Sequence, residues 1–315
     1  MYQVRVMLPN ASCNLNCKYC INTNNIRGLD VDIDFAKLFA KMDLVQFGSI
    51  GIWGGEPLFN PNFEKIVRAL RKKYPDKLIT TTSNGVLLNE RWVEVFNELG
   101  VYYSISHDGK GQSLRCKDFL QDAKYIELLK KLKHFGGFNA VISRTNCDLV
   151  GSYEYLMQLC GDIPGNWQIS FGLFELFEEE ILDFMPSVKE YGRLKKSYKE
   201  IARLACAGAP HLEGYAKRRR QRRVTPIVWR CNCAKRLTLD TQGNVYQCQV
   251  AADRRDSTLP KPSLPLMCTN CIHADYCRGI CPLIPDRLRA KLCMCHHLYY
   301  DALLELDAED RRNSQ

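Results

Sequence analysis

Residues 13–20 read CNLNCKYC and place Cys13, Cys17 and Cys20 within eight positions. The next cysteine is Cys116. Iron–sulfur cubes and structural zinc sites generally take four protein ligands. Three thiolates on a four-iron cube leave one iron without a protein ligand, and an open position is how a metal centre takes a substrate or cofactor. The competing reading is a zinc site with a distant fourth ligand. A second concentration holds nine cysteines: Cys231, Cys233, Cys248, Cys268, Cys271, Cys277, Cys281, Cys293 and Cys295. Cys116, Cys147, Cys160 and Cys206 stand apart and read as small buried or inert thiols.

The chain has 315 residues, 46% of them hydrophobic and 25% charged, the composition of an ordinary soluble protein. No apolar run is long enough to span a bilayer. The start, MYQVRVMLPNAS, lacks the apolar core of a signal peptide, so the expected compartment is the cytoplasm. Sixteen cysteines in a reducing compartment point to metal or redox chemistry rather than disulfides.

The elements that would position these residues alternate. Strands are predicted at 4–8, 49–53, 78–82, 101–106, 138–143 and 167–172. Helices are predicted at 34–42, 63–74, 90–100, 119–135 and 149–160. This is an α/β pattern of parallel strands with helices outside, a partial (β/α)6 TIM-like barrel with chemistry at the C-terminal strand ends. Residues 1–172 form that core. Residues 173–230 hold connecting helices and the basic run KRRRQRR at 217–223, and FELFEEEILDF at 174–184 reads as a short helix or a lid. Residues 231–315 form a small cysteine-rich domain held by metal. Tyr102 and Tyr103 are expected in the core, and FEEE at 177–180 on a solvated helix face.

CNLNCKYC, with aromatic Tyr19 before the last cysteine, resembles the signature of the radical S-adenosylmethionine (SAM) superfamily. The resemblance covers about residues 3–172. It implies a [4Fe–4S] cluster on Cys13, Cys17 and Cys20, whose open iron is chelated by SAM. Splitting SAM yields a 5′-deoxyadenosyl radical that removes a hydrogen atom from an unactivated carbon. It also implies SAM contacts from Gly54, Gly55 and Glu56 in GGEP, from Ser83 and Asn84 in SNG, and from Ser106, Tyr19 and Arg144. The later cysteines resemble the SPASM extension, which implies two auxiliary [4Fe–4S] clusters. The first would use Cys233, Cys248 and Cys281, with Cys231 as a plausible fourth ligand. The second would use Cys268, Cys271 and Cys277 with Cys293 or Cys295. For CTNC…CRGIC the alternative is a zinc knuckle.

SPASM enzymes mostly modify peptides or proteins. The first strand begins within a few residues of Met1, so no N-terminal leader-binding domain is expected. The basic run suits phosphates or an acidic peptide, or is a solvated loop. The compact layout and HDGKGQSLR at 107–115 resemble phage-encoded radical SAM isomerases of thymine hypermodification, which act on a thymine bearing glycine. That resemblance implies a DNA substrate and isomerisation of the modified base, in the host cytoplasm. The alternatives are radical modification of a peptide or protein, and a non-enzymatic iron–sulfur or zinc protein that binds nucleic acid. An electron donor such as flavodoxin or ferredoxin is implied as partner. The general acid or base is unassigned; His107, Asp108 and Glu175 are candidates by location, with His107 reading more as a scaffold residue.

Overall fold

The computed structural model describes residues 2–9, 13–20, 32–173, 179–220, 236–246, 248, 271, 273 and 284–313. Six parallel strands run in chain order: β1 (Tyr2–Met7), β2 (Phe47–Trp53), β3 (Leu78–Ser83), β4 (Val101–Ser106), β5 (Phe135–Ile142) and β6 (Gln168–Leu173). Helices α1 (Phe35–Met42), α2 (Phe63–Lys73), α3 (Glu90–Leu99), α4 (Ala123–Lys130) and α5 (Leu149–Cys160) connect them. The mixed α/β core read from the sequence is therefore present.

Two elements extend this sheet. β7 (Arg236–Asp240) pairs in parallel with β1, and β8 (Val245–Tyr246) pairs antiparallel with β7, giving the order β6-β5-β4-β3-β2-β1-β7-β8. Neither strand is signalled in the sequence: five and two residues are too few for alternation to show.

Local chemistry explains most helix boundaries. Asp34, Asn89 and Asp148 cap α1, α3 and α5, each accepting a backbone N–H from the first turn. Gly100 ends α3 with a left-handed φ of 60°. The single helix expected at 119–135 is shorter. A 3-10 turn over Phe119–Gln121 precedes α4, and β5 begins already at Phe135. Asp118 accepts from Leu120 N at 3.0 Å and Asp122 from Lys124 N at 2.9 Å. Such side chain–backbone bonds compete with a continuous helix.

The two faces of the sheet differ. Val4, Ile50, Ile52, Ile79, Tyr103 and Ile105 are at most 1% exposed under the helices. On the opposite face stand Thr80, Thr82, Ser104, Ser106, Asn139 and Ser170, none of them fully buried. Register aligns several of these across strands: Thr82 with Ser104, Ser106 with Asn139, and Asn139 with Ser170. Tyr103 lies in the core as expected, whereas Tyr102 is exposed and stacks on His134 at 4.8 Å. Strand alternation puts adjacent residues on opposite faces, which explains the difference.

After the sheet, α6 (Val188–Cys206) and α7 (Glu213–Arg220) precede the C-terminal helix α8 (Asp286–Asn313). A Ser187–Glu190 capping box starts α6. α8 packs on α6 through Tyr198 against Tyr299, ring centroids 5.1 Å apart, and through Lys195–Glu305 at 2.5 Å. Among the described residues no helix is long and apolar enough to cross a membrane.

Gly137 pairs with Gln168 at φ +105°, and a Cβ there would lie 1.9 Å from the Gln168 carbonyl oxygen. Gly137→Ala is expected to cost about 1–3 kcal/mol through backbone strain at the β5–β6 pairing. Urea unfolding of the variant beside the parent measures it.

Candidate functional site

The functional side chains cluster on the loops that leave the C-terminal ends of β1–β4. The loop after β1 carries the three cysteines. Cys17 is buried and Cys13 and Cys20 are half-buried. Its turn is closed by Cys20 N donating to Cys17 O at 3.0 Å. Two contacts tie it to neighbouring strands. Asn84 Nδ2, at the end of β3, donates to Asn14 Oδ1 at 2.7 Å. Tyr19 donates its hydroxyl to Asp108 Oδ2, beyond β4.

Cys13 therefore sits on the Glu56–Asn84 side of the site, and Cys17 on the Asp108–Arg115 side. Burial raises the Cys13 thiol pKa, and the nearby Glu56 charge adds to this. Burial also raises Cys17, while the Arg115 guanidinium pulls it back down. Among the described residues no group of three His, Cys, Asp or Glu side chains is gathered to hold a single metal ion.

Glu56 follows the glycine pair after β2 and is 1% exposed. Its Oε1 accepts from Ser83 Oγ at 2.6 Å and from Leu58 N at 3.0 Å, and its Oε2 accepts from Asn84 N at 2.6 Å. Burial raises its pKa, against the three donors that favour the ionised form. Gly54 makes the approach possible. It has φ +103°, and a Cβ would lie 2.1 Å from Leu8 O.

Beyond β4 a second buried carboxylate is handled differently. Asp108 is 1% exposed. It accepts from Val141 N at 2.7 Å, from Arg115 Nε at 3.0 Å and from Tyr19. Burial raises its pKa and Arg115 opposes this. The neighbouring His107 is fully buried. Its Nδ1 accepts from Gly109 N at 3.1 Å, which leaves the proton on Nε2, 3.0 Å from Asp118 Oδ1. Both ring nitrogens are thus engaged by the protein, and burial lowers the His107 pKa.

The remaining predicted residues are dispersed. Ser106 is half-buried on the open sheet face. Arg144, exposed after β5, donates its backbone N–H to Phe184 O at 2.8 Å and Nε to Met185 O at 3.4 Å, against the 3-10 turn Glu179–Phe184. Cys248 and Cys295 are buried in one apolar group with Met7, Tyr19 and Leu288. Burial pushes the Cys295 thiol up to about 12. Cys271 Sγ lies 3.5 Å from His297 Nε2. Glu175, Cys231, Cys233, Cys268, Cys277, Cys281 and positions 221–223 of the basic run lie outside the described residues. Of the isolated thiols, Cys147 and Cys160 are buried, Cys116 is half-buried and Cys206 is exposed.

Arg115, Asn14 and Gln112 were not read as site residues from the sequence. Gln112 accepts from Asp108 N through Oε1 at 3.0 Å. The available signal was local: an Asp and an Arg seven positions apart in HDGKGQSLR, brought together by the 3-10 turn Gly109–Leu114.

Residues 7–145 match the model of the radical SAM superfamily. An uncharacterised protein of Methanocaldococcus jannaschii is 32% identical over 199 residues, 58% of this chain and 66% of that protein. A GTP 3′,8-cyclase of Chlorobaculum tepidum is 30% identical over 131 residues, 41% of this chain and 36% of the enzyme. The chain thus spans just under two thirds of the first relative and about a third of the second. Among solved structures, native anSMEcpe with bound AdoMet and Cp18Cys peptide superposes with TM-score 0.72 at 18% identity, covering 99% of this chain and 100% of that one. This likeness is one of fold.

A neutral buried histidine destabilises the fold once it must take a proton. The His107 pKa is depressed in the folded chain, so its contribution is complete above about pH 6.5 and is lost as pH falls through the folded value. His107→Asn is expected to make the acid-side loss of stability shallower, by at most about 1.4 kcal/mol per pH unit. Urea titrations of the metal-free chain between pH 7 and pH 4 read this slope.

Proposed function

From a chain whose residues 7–145 match the model of the radical SAM superfamily, we propose an enzyme that removes a hydrogen atom from a polar substrate seated on the open face of β3–β6. The observation that carries this reading is the three-cysteine loop, tied to β3 through Asn14 and to β4 through Tyr19 beside the buried Glu56. Cys13, Cys17 and Cys20 would hold a [4Fe–4S] cluster, and Glu56, Gly54, Gly55, Ser83, Asn84, Ser106, Tyr19 and Arg144 would hold SAM. When bound, these groups supply a 5′-deoxyadenosyl radical for hydrogen-atom abstraction. Glu56 receives the SAM ammonium, and a cation beside it offsets the burial that disfavours its charge. Ser106, Asn139 and Ser170 offer hydroxyl and amide groups to the substrate.

Auxiliary clusters form the finer part of the proposal. Cys293 and His297 are four residues apart on α8 and so share a face, and His297 contacts Cys271. Cys295 is fully buried near Cys147 and Tyr191, in the apolar group against which the half-buried Cys293 packs. This favours Cys293 over Cys295 as the last ligand. Cys293→Ala is expected to lower the iron content of the reconstituted protein, and Cys295→Ala to leave it near the parental value. Iron and sulfide assays decide between them.

The proposed substrate is a glycine-bearing thymine in DNA, isomerised without net oxidation. The run of basic residues at 217–223 supports it, since such a run suits phosphates. The target base must be flipped or single-stranded to reach the open face. A second reading, radical modification of a peptide, is favoured by the Cp18Cys peptide bound to anSMEcpe, whose fold this chain matches along its whole length.

One anaerobic assay tests both. Reconstituted enzyme, SAM and dithionite are given DNA with glycine-bearing thymine, and the digest is examined by chromatography and mass spectrometry. A nucleoside of unchanged mass and new retention is expected, and Cys17→Ala should abolish it together with SAM cleavage. Cleavage of SAM without a new nucleoside moves the substrate to peptides. No SAM cleavage by the loaded parent overturns the radical reading. Replacing Arg218, Arg219 and Arg220 by Gln should weaken DNA binding and flatten its salt dependence, by about 0.9 in logarithmic slope for each phosphate no longer neutralised.

A further inference from the structure

A buried cation stands beside the three-cysteine loop, and the hydrogen-abstraction chemistry alone does not call for one. The Arg115 side chain is 12% exposed and pairs with Asp108, whose side chain is 2% exposed, at 3.0 Å. The guanidinium carbon lies 5.3 Å from the centroid of the Tyr19 ring. Tyr19 is the residue between Lys18 and Cys20, and its hydroxyl is held by the same Asp108. Arg115 therefore faces the loop across an aromatic ring, and its counter-charge Asp108 meets the same Tyr19 at the hydroxyl. Asp108 is itself fixed from behind by Val141 N at 2.7 Å.

We propose that Arg115 is a positioning residue that sets the reduction potential of the cluster on Cys13, Cys17 and Cys20, with Asp108 as the counter-charge that limits its effect. The inference rests on the reading of those thiols as cluster ligands. Reduction adds one negative charge to the cluster. A cation held nearby, out of water, stabilises the reduced form more than the oxidised one, because screening at a buried site is weak. The electron comes from an external donor, a flavodoxin- or ferredoxin-type protein in the cell or dithionite in the test.

Burial works against the Arg115 charge, while the paired Asp108 holds it. Arg115 thus stays charged at every accessible pH, and its influence on the cluster is a constant offset.

The arrangement also separates this role from simple bracing. Tyr19 and Val141 both bond to Asp108 rather than to Arg115. Loss of the Arg115 charge leaves those two bonds available, and loss of the Asp108 charge leaves Arg115 unopposed. The two substitutions should therefore displace the potential in opposite directions, which loosening of the loop would not do.

The test is an anaerobic redox titration of the full-length reconstituted protein, followed by electron paramagnetic resonance. The signal that changes on adding SAM identifies the cluster in question. Arg115→Gln should make reduction about tenfold less favourable, a fall of about 59 mV for one electron. Arg115→Lys should stay close to the parent. Asp108→Asn should raise the potential. Shifts of the same sign in Arg115→Gln and Asp108→Asn, or no shift in either, overturn the proposal. Should Arg115→Gln fail to load iron, Asp108→Asn decides alone: a rise supports the proposal and a fall or no change overturns it. A parent protein with no SAM-sensitive signal removes the cluster reading, and this inference with it, whereas a normal signal with unmoved potentials removes only the role of Arg115.

Discussion

The site depends on holding one short loop against two strands that are distant in sequence. Residues 13–20 have no regular structure of their own. Their shape is imposed by Asn84, 70 positions away from Asn14, and by Asp108, 89 positions away from Tyr19. A parallel sheet makes this economical. Consecutive strands present their C-terminal ends on one side, so loops after β1, β3 and β4 meet without further chain. The loop is thereby anchored near both of its ends while its thiols stay partly accessible.

The same two anchors are attached to the two buried carboxylates, and the contrast between these is instructive. Glu56 is satisfied by dipoles alone: two backbone N–H groups and the Ser83 hydroxyl. Asp108 is satisfied by a full charge, Arg115, together with a backbone N–H and the Tyr19 hydroxyl. Burial raises the pKa of both. A carboxylate held by dipoles retains its negative charge as something to offer an arriving cation. One paired with arginine is already close to neutral as a unit, and its remaining role is to aim the partner. Asp108 thus braces the loop through Tyr19, and Glu56 braces the end of β3 through Ser83 and Asn84.

Much of this was legible in the sequence because the motifs are local. CNLNCKYC, GGEP, SNG and HDG each follow a run whose alternation marks a strand, and the six parallel strands appear in the order expected. What was not legible is what non-local pairing creates. β7 is five residues long and owes its existence to β1, with Met7 opposite Asp240. Arg115 carries no motif, and its proximity to the thiols follows from the 3-10 turn that folds HDGKGQSLR back on itself. The break of the expected 119–135 helix reflects Asp118 and Asp122, whose side chains compete for backbone N–H groups at a range that periodicity of apolar residues does not register. Tyr102 and Tyr103 were read alike, yet one step along a strand separates solvent from core.

The pairing of β7 with β1 has a consequence for the two groups of cysteines. β7 falls between Cys233 and Cys248 in the chain, while β1 leads directly into Cys13. One apolar group then gathers Met7 and Tyr19 from the first region with Tyr246, Cys248, Leu288 and Cys295 from the second. Among the described residues, β7 joins the core through a strand ladder, and Tyr246, Cys248 and Cys295 join it through shared burial. Removing it would strip β1 of a hydrogen-bonding neighbour and open the apolar seat of Tyr19. Since Tyr19 transmits the Asp108 anchor to the thiol loop, the order of the first cysteine group is tied to the packing of Tyr246, Cys248 and α8 around that ring.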